Sequence, residues 1–368
     1  MKGMRWLGEA VLHATVVATV IWAGAVAARA QQPPGPQAPP PGQAKGAETA
    51  PPSATATQEK PGYAIAVESA LVNFDVLVTD EDGRVLAGLN KENFRVLDNG
   101  RPQAITNLAP VEDPITIVML LEYSGTAYDY FAYKAANWGS RFLEHLGPDD
   151  WVALVTYDLK PTIRVDFTRN KAEVQQSLAS LSFPEFSESN MFDAIIDTAD
   201  RLERVKGKTA VLLIATGINT LSSNSLNKTY QRLKESDATV FCIAVAEREF
   251  MAAEMRGGLY EGTNLTYLQA KNELDTFAKL TGGSAWFPRF EGELPSIFRS
   301  VAAFLRNQYR LGFSPANLAR DGKYHKLKVE VVGPDGKRLR VTDAKGKKRK
   351  VIVYAREGYV MPRGAAEK

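Results

Sequence analysis

The sequence has one cysteine, Cys242, and three histidines, His13, His145 and His325, among 368 residues. A single thiol excludes an internal disulfide framework and any cysteine-based zinc site. Three scattered imidazoles leave little material for a histidine-ligated metal centre. Charge of one sign is scarce as well. With 45 basic residues against 42 acids the formal net charge is +3, too near neutral for a chain that coats nucleic acid. No hydrophobic run after the N-terminal one approaches membrane length, which excludes a membrane bundle. What is present is ordinary. A hydrophobic content of 45% and a charged content of 24% suit buried cores, and the length suggests two or three domains.

Residues 1–30 have the organisation of a secretory signal peptide. Lys2 and Arg5 form the positive start, an apolar stretch runs over 10–27, and Ala28-Arg29-Ala30 supplies a small-x-small cleavage site. The expectation is an exported protein, periplasmic or extracellular, with an uncleaved N-terminal anchor as the alternative because the run nears the length of a bilayer span. Residues 31–62 hold nine of the chain's 20 prolines and no large apolar side chain, so they read as a disordered spacer.

The rest divides into three blocks. Residues 63–110 are β in character: Val72, Phe74, Val76 and Val78 alternate on one face, and turns are marked by Asp82-Gly83 and Asn99-Gly100. Residues 111–306 alternate strand and helix patterns. Strands are expected at 115–121, 151–157, 162–167, 209–215, 239–245 and 284–287. Helices are expected at 128–146, 171–181, 191–205, 226–234, 271–280 and 294–306. This predicts an α/β domain, a doubly wound and mainly parallel sheet. Residues 307–361 return to β, with strands at 308–312, 324–332, 338–341 and 351–354, before a short tail at 362–368. Each β block is too small to bury a core alone. The two are therefore expected to pack into one β-sandwich with the α/β domain inserted between them.

Ligands of doubly wound sheets bind beyond the carboxyl ends of the strands. Three loops there are rich in oxygen: Glu122-Tyr123-Ser124-Gly125-Thr126, Ser187-Glu188-Ser189-Asn190 and Thr216-Gly217-Ile218-Asn219. With these loops the segment 113–305 resembles the von Willebrand factor A fold. That family's metal-ion-dependent adhesion site uses Asp-x-Ser-x-Ser, a threonine from a second loop and an aspartate from a third. The matching positions here are Glu122, Ser124 and Thr126, then Ser189, then Thr216. The segment LGPDDWVALVTYD is similar to the family's link between first helix and second strand. VLVTDEDGRVLAGLNKENFRVLDNGRPQ and YRLGFSPANLARDGKYHKLKVEV resemble the flanks of exported bacterial VWFA-related proteins, common in acidobacteria.

The resemblance implies a Mg²⁺ or Mn²⁺ site on Ser124, Thr126, Ser189 and Glu122, but the site departs from the pattern. Glu122 adds a methylene, about 1.5 Å, and Thr216 has no charge. One formal negative charge in place of two attracts a divalent cation less strongly. The expectation is a degenerate site binding metal weakly or not at all, for which Glu188 and Asn219 are the compensating candidates. No cofactor is otherwise expected.

Other signals are weak. Gly207-Lys208-Thr209 precedes a strand instead of following one and is not a phosphate loop. No Gly-x-Ser-x-Gly elbow accompanies a histidine. Asp193, Asp197 and Asp200 read as a solvated helix face, and Cys242 as a buried small residue. Residues 337–350 carry eight basic side chains against Asp343 alone, either an exposed hairpin kept soluble by charge or a contact for an anionic envelope polymer or lipid headgroups. The sequence thus predicts an exported, non-enzymatic protein-binding or adhesion protein with its ligand surface around Glu122, Ser124, Thr126, Ser189 and Thr216. A metal-independent structural scaffold of the cell envelope is the alternative. No nucleic-acid partner and no membrane span after signal cleavage are expected.

Overall fold

Strands that are apolar on every residue are stable only between two covering layers, and the centre of the protein is built that way. The computed structural model describes residues 71–111, 113–125, 135–245, 261–315, 321–342 and 346–361, which belong to one compact unit, Ala66–Lys368. The expected signal peptide and spacer, residues 63–70, Thr126, the start of the 128–146 helix and the tail lie outside the described residues.

The first flank forms β1 (Val72–Asp80), β2 (Phe94–Asp98), β3 (Arg101–Gln103) and β4 (Ile105–Pro110). The middle block forms β5 (Ile115–Glu122), α1 (Ala135–Leu143), β6 (Trp151–Tyr157), β7 (Pro161–Thr168), α2 (Lys171–Ala179), α3 (Met191–Leu202) and β8 (Lys208–Ala215). It continues with α4 (Leu226–Glu235), β9 (Thr239–Ala244), α5 (Glu261–Thr281), β10 (Ala285–Trp286) and α6 (Leu294–Arg306). The second flank forms β11 (Tyr309–Phe313), β12 (Tyr324–Val331), β13 (Arg340–Thr342), β14 (Lys348–Ala355) and β15 (Gly358–Val360).

The middle block is a six-stranded sheet ordered β10-β9-β8-β5-β6-β7, parallel throughout except for β7 at one edge. All of β5 and β8 is buried. Ile115, Ile117, Met119 and Leu121 pack with α1, α2 and α6, whereas Val118 and Leu120 pack with α3, α4 and α5. Period-two alternation thus feeds two cores from one strand, each buried aliphatic contributing about 1.5–3 kcal/mol.

The flanks combine, as the sequence predicts, into two antiparallel sheets, β13-β14-β1-β11-β4 and β15-β12-β2-β3. Their shared core takes Phe74, Val76 and Val78 from β1, Phe94 and Val96 from β2, Leu311 and Phe313 from β11, and Leu327 and Val331 from β12. β1 also turns Leu77 to the other side, into the core of the α/β domain. There Phe304 of α6 meets Tyr354 of β14 edge-on, with ring centroids 4.6 Å apart. The chain passes into the α/β domain from β4 and returns into β11, and these two strands pair, Pro110 opposite Tyr309.

One residue fastens the base of the inserted domain. Asp150 is buried, and its carboxylate accepts the N–H of Ile115 (3.0 Å) and of Gly147 (2.7 Å) and an Arg306 guanidinium N–H. It thereby joins the start of β5, the turn before β6 and the end of α6. Asp150→Ala leaves the buried Ile115 N–H and the half-buried Gly147 N–H without partners and is expected to cost about 3 kcal/mol, read from urea unfolding midpoints. Nearby, the Lys208 ammonium donates to the Leu305 carbonyl, and burial lowers its pKa to about 8. This lysine ties β8 to α6, in keeping with the rejection of a phosphate loop.

Several boundaries differ from expectation. α5 begins ten residues before 271, and in that added stretch Leu265 and Leu268 are exposed, so no apolar stripe marks it. β3, β4 and β15 are short or half-exposed and lack a clear apolar pattern. β14 starts at Lys348, extending into the basic run.

Candidate functional site at the strand tops

β5, β6 and β8 run parallel, so their carboxyl ends open on the same side of the sheet. Glu122 is the last residue of β5 and has no exposed surface. Its Oε1 accepts the Ser124 hydroxyl (2.9 Å), and its Oε2 accepts both the N–H (2.6 Å) and the hydroxyl (2.8 Å) of Thr216. The extra methylene relative to aspartate is what lets this carboxylate reach from the first loop to the third. Burial raises the Glu122 pKa above the ordinary glutamate range; the hydrogen bonds from Thr216 and Ser124 only partly offset it.

Ser189, directly before α3, is buried beside Glu122 and Tyr157. Its hydroxyl makes no hydrogen bond of ordinary geometry among the described residues. Its backbone is held by Thr220, whose hydroxyl accepts the Ser189 N–H (2.8 Å) and whose N–H donates to the Ser189 carbonyl (2.8 Å). The structure therefore brings Glu122, Ser124, Ser189 and Thr216 together, while Thr126 lies outside the described residues. Tyr157, at the end of β6, is a site residue that no sequence motif marks. Burial first, and the nearby Glu122 second, push its ionisation well above the usual tyrosine range.

Neither compensating candidate joins this network. Glu188 is exposed. Asn219 uses its Oδ1 to accept the Phe192 N–H (3.3 Å) and the Ser222 hydroxyl (2.6 Å), closing the start of α3. Asp193 corrects the solvated-face reading. Its carboxylate accepts the Ser223 N–H (2.8 Å), the Asn224 N–H (2.9 Å) and the Asn224 side-chain amide (2.7 Å), anchoring the third loop to α3. Asp197 and Asp200 are on the surface as expected, paired with Arg201 and Arg232.

The loops also meet through glycines. A Cβ on Gly125 would lie 2.8 Å from the Ser187 hydroxyl, and Gly125 N–H donates to the Phe186 carbonyl (2.8 Å). Gly217 sits at φ +82° with α5 close behind it, at Ala270 and Leu274. That conformation and that approach both require glycine.

Residues 116–275 match the family model of the von Willebrand factor type A domain. The chain carries a von Willebrand factor type A domain. No curated protein matches the chain in sequence. Among solved structures, this chain is similar to a von Willebrand factor type A protein from Catenulispora acidiphila. The two are 10% identical at a TM-score of 0.42, over 79% of this chain and 74% of that one. It is also similar to an aerotolerance-related membrane protein from Bacteroides fragilis (16% identity, TM-score 0.39, 52% of this chain and 98% of that one). A third is the vWF domain of the type V pili tip protein Mfa5 from Porphyromonas gingivalis (13%, 0.39, 53% and 95%).

The residues present in this A domain do not fit a resident Mg²⁺ or Mn²⁺. Both oxygens of the one carboxylate are already committed to Ser124 and Thr216, and burial favours its neutral form. A divalent cation here would leave uncompensated positive charge in a dry setting. Among the described residues no three Asp, Glu, His or Cys side chains are grouped to hold an ion.

Proposed function

We propose that this is an exported, non-enzymatic binding protein whose A domain engages a protein partner through its strand-top loops without a bridging metal. The observation that carries this reading is an apolar rim around a polar centre whose carboxylate is already hydrogen-bonded on both oxygens. Phe183 is 77% and Leu221 63% exposed, on the loops that hold Ser189 and Thr220. Phe186 is exposed beside Gly125, and Leu265 and Leu268 are exposed on α5 ahead of the turn that packs on Gly217. Grouped exposed apolar side chains of this kind favour protein contact. The committed hydrogen bonds at Glu122 leave recognition to shape and apolar area. Export rests on the signal-like residues 1–30.

The test is photocrosslinking of the full chain with a reactive residue at 183, compared with one at 206 on the opposite end of the sheet. Adducts with protein are expected from 183 only, unchanged by EDTA. Phe183→Ser with Leu221→Ser should weaken capture roughly 30-fold, the loss of about 2 kcal/mol of hot-spot contact, while stability changes by less than about 0.5 kcal/mol per site. Adducts that need Mg²⁺, or equal labelling from 206, overturn the proposal. A second reading, a structural envelope scaffold, is favoured by the close packing of Leu77, Phe304 and Tyr354 between sandwich and A domain. It predicts no adduct specific to 183.

A further inference from the structure

The β13–β14 hairpin carries a charge pattern that the fold does not need. Its register sets Arg340 opposite Lys350 and Thr342 opposite Lys348, on the outermost strand pair of the five-stranded sheet. Like charges directly opposite one another destabilise a sheet. On the alternate residues of β14, Val351 and Val353 pack against the sandwich core, and Arg349 is taken up by Glu81 (3.0 Å) and Asp82 (3.5 Å). Lys337, Arg340, Lys348 and Lys350 form no ion pair among the described residues.

Three of these cations, Lys337, Arg340 and Lys348, border a concave space. A groove of about 600 Å³ is lined by Lys337, Arg338, Arg340 and Lys348 together with Pro334 and Leu339. Asp335 is its one lining acid, and its Oδ1 accepts the Lys337 N–H (3.1 Å) to brace the turn. The turn is closed further by Gly333 N–H to the Lys337 carbonyl (2.8 Å) and Gly336 N–H to the Gly333 carbonyl (2.9 Å). The cations are thus set on a braced frame.

We propose that this groove binds an anionic polysaccharide. Acidic groups along such a chain meet cations spaced across two strands and a turn, and the apolar faces of its rings lie against Pro334 and Leu339. Arginine adds a planar, forked donor set suited to carboxylate and sulfate. An anion between Arg340 and Lys350 turns their repulsion into joint attraction. A lipid surface fits less well: a planar bilayer does not enter a concave space, and surface binding also draws on apolar insertion. Ile352, 38% exposed, is the large apolar residue of this face that is exposed among the described residues.

The experiment titrates a labelled heparin oligosaccharide with the full chain, followed by fluorescence anisotropy. R340S/K348S/K350S is expected to weaken binding at least about 10-fold, with the melting temperature unchanged or raised because the opposed cations are gone. A matched variant removing three other exposed cations, R204S/K206S/K228S, is expected to keep its affinity. Equal losses in both variants, no loss in the first, or capture by anionic vesicles without heparin binding each overturn the proposal.

Discussion

Glu122→Ala is expected to lower the unfolding free energy by about 4 kcal/mol, whereas Glu122→Gln costs less than about 1 kcal/mol. The alanine removes the acceptor of the Thr216 N–H, leaving a buried donor unpaired, and adds a cavity where the side chain stood. Glutamine keeps the shape. Its carbonyl oxygen takes the Oε2 position facing Thr216, and its amide faces the Ser124 hydroxyl, which reorients to accept. Glu122→Asp behaves more like alanine, because withdrawal by about 1.5 Å opens the 2.6 Å bond to Thr216 beyond hydrogen-bond reach. Urea titrations of the three variants, with and without EDTA, check the order.

The same carboxyl gives a pH signature. Burial raises its folded pKa above the unfolded one, so the native state holds the proton more tightly across that interval. Its contribution to stability is therefore full below the ordinary glutamate range and falls as pH rises through the raised native value. Glu122→Gln does not titrate. Relative to wild type its melting temperature should improve as pH rises from the ordinary glutamate range towards the raised native value, and a gap that stays constant contradicts a raised carboxyl pKa.

Thr216→Asp should produce the other large effect. It places a second carboxylate where the Thr216 hydroxyl now lies 2.8 Å from Oε2 of Glu122. Two buried carboxylates that close cannot both ionise without a cation. The expected result is a fall in melting temperature of roughly 10 °C, partly reversed by millimolar Mg²⁺ or Mn²⁺, while the wild type does not respond. Pairing it with Glu122→Asp draws the first carboxylate back by about one bond, about 1.5 Å, and opens room for an ion between the two, so calorimetry should show saturable binding, lost when Ser124→Ala is added. A double variant that binds no ion means the three loops are not arranged as an adhesion site.

The fold was legible where burial writes a period into the sequence. The unbroken apolar run of β5 and the stripe of Leu294, Ile297, Phe298, Val301 and Phe304 on α6 place their elements directly, and two undersized β blocks imply one shared sandwich. The first turns of α5 were not legible because they expose Leu265 and Leu268 in place of a buried stripe. At the site, strand-end position located the three loops and the family resemblance picked out Glu122, Ser124, Ser189 and Thr216, but neither told what they do to one another. The link between Glu122 and Thr216 spans 94 positions and depends on one methylene of reach. Asp193 was misread for the same reason: the loop that covers it returns from thirty residues downstream.

Because β4 and β11 are paired neighbours at the junction, a pull on the strand-top loops leaves the A domain along two covalent strands side by side, loaded in the same direction. Their mutual ladder is not opposed. The load passes instead to the antiparallel contact of β11 with β1 over Val72 to Val76, which is strained lengthwise, with several hydrogen bonds resisting together. A pull between the two chain ends, by contrast, runs through the sandwich and bypasses the A domain as a closed loop. The insertion makes the sandwich the mechanical frame and leaves the strand-top loops out of that line of tension.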